Sequence, residues 1–278
     1  MFLLILSIVF FSLNNILWKQ NLMKIETYSL IMLRSLFTSL ISLFLIFLFS
    51  KNQIIEFGFY PMIILGSLFG FLGLVSMLYI IKNVNLKWLG FYNLIGIAFS
   101  GAYLYFLEEV NVLKYIYGIS LVCIGFFIYI KSNNNKSAFY DFKSHLMAIL
   151  MTFSFQMAAF LHWKNLESNI SPFIVVFNQE LVVFICATFI VLCNNNFKYA
   201  IVNFKKNGIQ IFIMAVIILS ALICSFFGLK ITNPLLSSVA SLSGPITTIF
   251  LGFLIFKEKV GYLDIIAIIF IIMGILII

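Results

Sequence analysis

The chain has 278 residues, of which 63% are hydrophobic and 9% charged, with a mean hydropathy of +1.15. A soluble fold of this length needs about a quarter of its residues charged to cover its surface, so the composition excludes one and implies a polytopic membrane protein. The net charge of +8, from 17 Lys and Arg against 9 Asp and Glu, is spread through short polar connections; with no basic stripe, the lysines read as interfacial anchors and nucleic acid is not an expected partner.

A helix crosses the hydrocarbon core in ~20 apolar residues. Cutting the chain at its polar clusters predicts about ten such helices, over residues 2–18, 28–49, 60–81, 88–107, 112–130, 144–163, 172–193, 208–229, 235–256 and 261–278. The first has neither a basic leader nor a small-residue cleavage site and is read as a retained helix. Asn14 and Asn15 lie one turn inside it. Arg34, the one arginine of the chain, lies roughly 9 Å deep in the second helix at 1.5 Å per residue. Its planar fork suits a carboxylate or phosphate, although its long stem can also snorkel to water. Gly66, Gly70 and Gly73 form a packing seam in the third helix. Tyr92 and Asn93 lie one to two turns inside the fourth, and Tyr92, Tyr79, Tyr103 and Trp163 are rings that can stack on a cation or anchor at the interface. Cys123, Cys186, Cys193 and Cys224 stand in apolar runs without a CxxC pair, so neither a disulfide nor a zinc site is indicated, and no metal or other cofactor is expected.

An Asn-rich linker, residues 132–143, divides the chain at its middle. In the sixth helix Gln156 lies about two turns deep, with His145 and His162 near the two ends and read as interfacial. The seventh helix opens at Pro172 and carries Glu180 about 12 Å deep, too far for a short acid to reach water. A charge at mid-bilayer costs at least ~2.5–3.5 kcal/mol on insertion scales. Glu180 is therefore either a proton-coupling acid, an anchor for a substrate amine, or a structural acid with a partner. Because the second and seventh helices start on opposite faces, Arg34 and Glu180 stand roughly 9 Å apart in depth across a ~30 Å core. A zwitterion can bridge that gap, or the two side chains can pair when the site is empty. Asn178 and Gln179 flank Glu180. Each buried amide here contacts substrate or makes an interhelical hydrogen bond worth only ~0.6 kcal/mol. In the ninth helix Ser237, Ser238, Ser241, Ser243 and Gly244 permit close packing. Pro245 cannot donate to the Ser241 carbonyl, which leaves an acceptor free near mid-bilayer.

The linker has five predicted helices on each side, and the halves resemble one another. Trp163-Lys164 follows Trp18-Lys19 at an offset of 145 residues, at which Ile170 meets Ile25 and Pro172 meets Thr27. Leu104-Tyr105-Phe106-Leu107-Glu108-Glu109-Val110 is similar to Leu254-Ile255-Phe256-Lys257-Glu258-Lys259-Val260 at an offset of 150. Five is odd, so the second half enters the membrane inverted. The expected fold is all-α, ten transmembrane helices as two inverted five-helix repeats, residues 1–131 and 144–278, the arrangement of secondary transporters with a site between the halves.

Four segments resemble the drug/metabolite transporter (DMT) superfamily, specifically its ten-helix EamA-like family. They are Asn14-Asn15-Ile16-Leu17-Trp18-Lys19, Leu33-Arg34-Ser35-Leu36, Ser241-Leu242-Ser243-Gly244-Pro245, and Phe256-Lys257-Glu258-Lys259-Val260 with Gly274 in the last helix. The chain departs from the family pattern at Lys257, where a glycine is usual, and at Ile97, where the first half would have its proline. The resemblance implies a site lined by the first and sixth helices, which favours Asn15 and Gln156.

These readings predict a secondary active transporter that moves a small polar metabolite, amino-acid-like or an amine or zwitterion, by alternating access, with protons as a candidate coupling ion. The expected site comprises Glu180, Arg34, Asn15, Gln156, Asn93, Tyr92, Asn178, Ser241 and Pro245. The expected partners are the small-molecule substrate and the lipid bilayer, with the protein a monomer in a bacterial cytoplasmic membrane. The alternative is a membrane-embedded enzyme or flippase-type subunit acting on lipid-linked substrates. The sequence has no HExxH, no buried aspartate pair, no Ser/His/Asp cluster and no Walker A loop, so an enzyme is not expected. Twelve lysines follow odd-numbered helices and four follow even-numbered ones, which places both termini outside by the positive-inside rule, whereas the family resemblance implies termini in the cytoplasm.

Overall fold

The structure, a computed structural model, describes residues 1–50, 60–83, 87–108, 111–132, 142–244, 247 and 261–277. Among these residues the chain is all-helical: α1 (Phe2–Leu22), α2 (Thr27–Phe49), α3 (Tyr60–Asn83), α4 (Lys87–Leu107), a 3₁₀ turn (Val112–Tyr115), α5 (Ile116–Ser132), α6 (Phe142–Glu167), α7 (Pro172–Cys193), α8 (Phe197–Ile231), α9 (Pro234–Ser241) and α10 (Tyr262–Ile277). Six are long and apolar enough to cross a membrane: α1, α2, α3 from Pro61, α6, α7 and α8. Their outer faces expose Phe44, Phe47, Phe189 and Ile213, as lipid-facing surfaces do.

Local chemistry sets the helix ends. The Glu26 carboxylate caps α2 by accepting from the N–H groups of Tyr28 and Ser29 at 3.0 and 2.7 Å. Proline opens α7 and α9, where its missing N–H costs no hydrogen bond, and Asn233 caps α9 by accepting from Leu236 N–H at 2.9 Å. Asn169 and Asn195 adopt φ of 62° and 54°, the left-handed conformation that asparagine tolerates better than most residues. There they end α6 and α7 by returning the chain on itself; the N–H groups of Ile170 and Asn196 donate to the carbonyls of Asn165 and Val191.

Two expectations need correction. The eighth helix starts at Phe197, not at 208, because only Asn194, Asn195 and Asn196 break the chain there and the lysines that follow are good helix formers. At 35 residues it is about 52 Å long at 1.5 Å per residue, so its first turns, with exposed Lys198, Lys205 and Lys206, extend past a single crossing. The ninth helix does not run unbroken from 235. It ends at Ser241, and the Leu242 and Ser243 N–H groups turn back three residues to Val239 and Ala240. The next residue but one is a proline without an N–H, so the regular ladder could not continue. Pro245 and residues 248–260 lie outside the described residues.

Each long helix finds its main partner in the other half of the chain: α3 packs on α6, α1 on α8, α2 on α7, and α5 on α10. Renaming α1–α5 as α6–α10 and the reverse maps this set onto itself. Residue contacts give directions. Ser50 at the end of α2 meets Ser171 before α7, their hydroxyls 2.6 Å apart, and Phe49 stacks on Phe173. The two helices therefore run antiparallel. In the α3–α6 pair, a Cβ on Gly66 would reach within 2.9 Å of the His162 ring, and one on Gly73 within 2.7 Å of the Phe155 ring; these helices are antiparallel too. The glycine seam expected of the third helix is the surface that admits the α6 rings. Gly274 of α10 lies against Val122 and the Gly118 carbonyl of α5, at 2.5 and 2.7 Å from an added Cβ. Conversely, α4 runs parallel to α6, through Ser100 with Gln156 and Glu108 with Lys164. The segment around α9 runs parallel to α1, with Ser12 bonded to Thr247 at 2.5 Å and Ile8 against Gly244.

Candidate functional site

At the α2–α7 contact, Arg34 Nη2 stands 3.0 Å from Glu180 Oε2, and both side chains are 2% exposed. The anticipated vertical gap is closed by direct pairing, the second of the two arrangements expected. Helix α2 carries Arg34 one residue before Ser35, whose hydroxyl turns back to the Ile31 carbonyl at 2.7 Å. Thr38 Oγ1 likewise donates to the Arg34 carbonyl at 2.9 Å. Ser35 thereby satisfies itself within the helix and leaves room for the long guanidinium, while the Thr38 side chain also interacts with the Glu180 carboxyl. Behind it lies Trp18 of α1, fully buried, with the guanidinium carbon 5.7 Å from its ring centroid, a cation–π distance.

The pair is close but not fully hydrogen-bonded. Arg34 Nε and Nη2, Glu180 Oε2, Trp18 Nε1 and Asn14 Oδ1 are all buried without a hydrogen-bond partner among the described residues. The 3.0 Å approach is thus a charge contact whose N–H is not aligned on the oxygen. A buried ion pair is favourable only when its remaining donors and acceptors are also satisfied, so this one keeps a capacity to bind.

A second polar group gathers around Gln156 of α6. Its Oε1 accepts from Ser100 of α4 at 2.6 Å and from Ser238 of α9 at 2.9 Å, and the two hydroxyls are 3.0 Å apart. Gly96 of α4 makes room, since a Cβ there would come within 2.7 Å of Gln156 Nε2. Ser241, one turn on from Ser238, donates to the Ser238 carbonyl at 2.6 Å. The group therefore ties α4 and α6 to the end of α9, where the helix breaks.

The structure thus brings together Arg34 with Glu180, and Gln156 with the α9 serines, as two separate clusters. Tyr92 belongs to neither. Its hydroxyl is hydrogen-bonded to His145 Nδ1, and its carbonyl accepts from Thr152 Oγ1 at 3.3 Å; His145 is about 16 Å along α6 from Gln156. Asn178 donates to the Ile174 carbonyl of its own helix at 2.8 Å. Asn15 is half-buried, whereas its neighbour Asn14 is buried with its carbonyl oxygen unpartnered. The Asn93 side chain and Pro245 lie outside the described residues. His162 and Trp163, read as interfacial, are buried: α6 runs four residues past Trp163, and the Gly66 gap draws the histidine inward. Sequence reasoning passed over Trp18, Thr38 and Ser100 as site residues. Trp18 was legible only as a repeat marker, and Ser100 only through the Gly96 spacing one turn before it.

Comparison with known proteins agrees with this architecture. The fold and its apolar helices define a multi-pass integral membrane protein. Residues 142–278 match the model of the EamA-like transporter family, whose members are membrane transporters of the DMT type. A solved structure, titled only as the crystal structure of a protein, matches with a TM-score of 0.71 over 97% of this chain and 95% of that chain, at 12% identity; the likeness is one of fold. No curated protein matches in sequence.

Proposed function

We propose that the protein is a secondary active transporter for a small zwitterionic, amino-acid-like metabolite, working by alternating access between two inverted five-helix repeats, residues 1–131 and 144–278. The observation that carries this reading is the buried, incompletely hydrogen-bonded Arg34–Glu180 pair, one partner from each half. The exchange-symmetric helix pairing and the antiparallel run of α2 and α7 support the inverted repeat, and the lipid-facing apolar surface supports a monomer in the bilayer.

The mechanism follows from the pair. A substrate carboxylate competes for Arg34 and a substrate ammonium competes for Glu180. Binding replaces the contact between halves with two contacts through the substrate. A ligand shifts a conformational equilibrium only by its differential affinity for the two states, and this exchange supplies one, because the direct contact requires the halves to be close and the bridged one holds them further apart. Protons are the candidate coupling ion, with Glu180 as their carrier.

The test is Glu180→Gln in proteoliposomes, which keeps the shape and removes the charge. If Glu180 carries protons, the variant binds and exchanges substrate but loses accumulation driven by a pH gradient. If it anchors an amine, binding itself weakens by the ~1.5–3 kcal/mol of a charge-assisted hydrogen bond. Normal binding with normal gradient-driven uptake would leave Glu180 a structural acid and end the reading.

A further inference from the structure

We infer that Trp18 is a substrate-binding residue, its indole N–H joining Arg34 to form the subsite for the carboxylate of the substrate. The inference rests on the transport reading above and adds to it a residue on α1 and a chemical requirement, a free carboxylate. Trp18 is fully buried, yet its Nε1–H has no hydrogen-bond partner among the described residues. A buried tryptophan ordinarily finds one, and an unsatisfied buried donor carries a desolvation cost that selection tolerates where a ligand removes it. The guanidinium stands 5.7 Å from the indole centroid; its Nε has no hydrogen-bond partner among the described residues, and its Nη2 makes only the unaligned charge contact with Glu180. The indole Nε1–H and the guanidinium Nε–H, with Nη2 beside them not hydrogen-bonded, present donors from two adjacent helices to one anionic oxygen pair. Nothing about the orphaned Asn14 oxygen suits an anion; lying one turn before Trp18, it is an acceptor that suits the ammonium end. A zwitterion thus finds donors at Trp18 and Arg34 and acceptors at Glu180 and Asn14, whereas an amine without a carboxylate leaves the donors unmet.

The chain has three tryptophans, so the protein labelled with ¹⁵N-tryptophan in nanodiscs gives three indole N–H resonances, and Trp18→Phe identifies that of Trp18. The probe is a mixture of the common L-amino acids, with the same amino acids as C-terminal amides for comparison. The expected result is that the amino acids move the Trp18 resonance downfield and the amides do not. For the amino acid that binds, Trp18→Phe, which keeps a ring over Arg34, weakens binding about tenfold or more, as the loss of a hydrogen bond to a charged group does. If an amino acid binds in a manner that requires Arg34 and Glu180, yet the Trp18 resonance stays in place and Trp18→Phe binds equally, Trp18 is a packing residue and this inference fails while the transport reading stands. Equal shifts from acids and amides refute the carboxylate subsite. Binding of neither mixture refutes the amino-acid reading and this inference with it. The resonance shift is read on the unaltered protein, so a folding defect in Trp18→Phe does not decide the outcome.

Discussion

Breaking the Arg34–Glu180 pair from one side should cost more than removing it whole. At 2% exposure for each side chain, solvent does not screen the charge that remains. Removing one partner of a buried ion pair typically costs about 3–5 kcal/mol, while replacing both with apolar or neutral groups is often near neutral. Glu180→Gln leaves a guanidinium that cannot lose its charge and is expected at about 3–5 kcal/mol. Arg34→Met leaves a carboxyl that can neutralise itself by taking up a proton, so its cost is the smaller of the two. The double variant should return to within about 1–2 kcal/mol of the parent, giving a coupling of at least ~2 kcal/mol, within the range of contacting residues. Equilibrium unfolding by sodium dodecyl sulfate in mixed micelles, followed by far-ultraviolet circular dichroism, measures all four proteins. Additive single-variant costs would refute the reasoning, because they would mean that the two charges do not depend on each other.

Three further outcomes test the helix packing. Gly274→Ala should destabilise by about 1–3 kcal/mol through overpacking, since its Cβ would stand 2.5 Å from Val122 and 2.7 Å from a backbone oxygen. Gly208→Ala, with 3.7 Å to Phe204, should be neutral or stabilising by the loss of unfolded-state entropy; thermal melts of both check the contrast. In a protein whose four cysteines are replaced by alanine, Ser50→Cys with Ser171→Cys should form a disulfide on mild oxidation, because the two hydroxyls already lie 2.6 Å apart; a free-thiol assay that finds no bridge would contradict the antiparallel α2–α7 contact. Asn195→Val should cost about 1–2 kcal/mol, since a β-branched residue resists φ of 54°, whereas Asn195→Gly should melt like the parent.

Much of this architecture was legible in the amino-acid order. Apolar runs placed most helices, but which helices pair between the two halves was not readable from the repeat. The depths of Arg34 and Glu180 placed two charges on facing helices within reach of each other. What the order concealed depends on neighbours far away in sequence. His162 reads as interfacial until Gly66 is seen to open a gap for it. The Tyr92 hydroxyl's bond to His145 joins residues 53 apart in the chain and has no signal in either local sequence. Asn14 and Asn15 are equivalent in depth, and only the direction of the α1 face toward Arg34 distinguishes them. The extension of α8 was hidden because its lysines suit a loop and a helix equally.

The exchange of partners between halves also sets an order of events during synthesis. Glu180 is made 146 residues after Arg34, which at about 5–20 residues per second is an interval of roughly 7–30 s. Through that interval the Arg34 guanidinium has no Glu180 to pair with, so it either snorkels to the interface or bears a cost of up to ~2.5–3.5 kcal/mol on insertion scales. α1 and α3 wait similarly for α8 and α6. The first half therefore lacks the main partners of α1, α2 and α3 until the second half arrives, and a chain truncated after the linker should be a substrate for membrane proteases rather than a stable fragment.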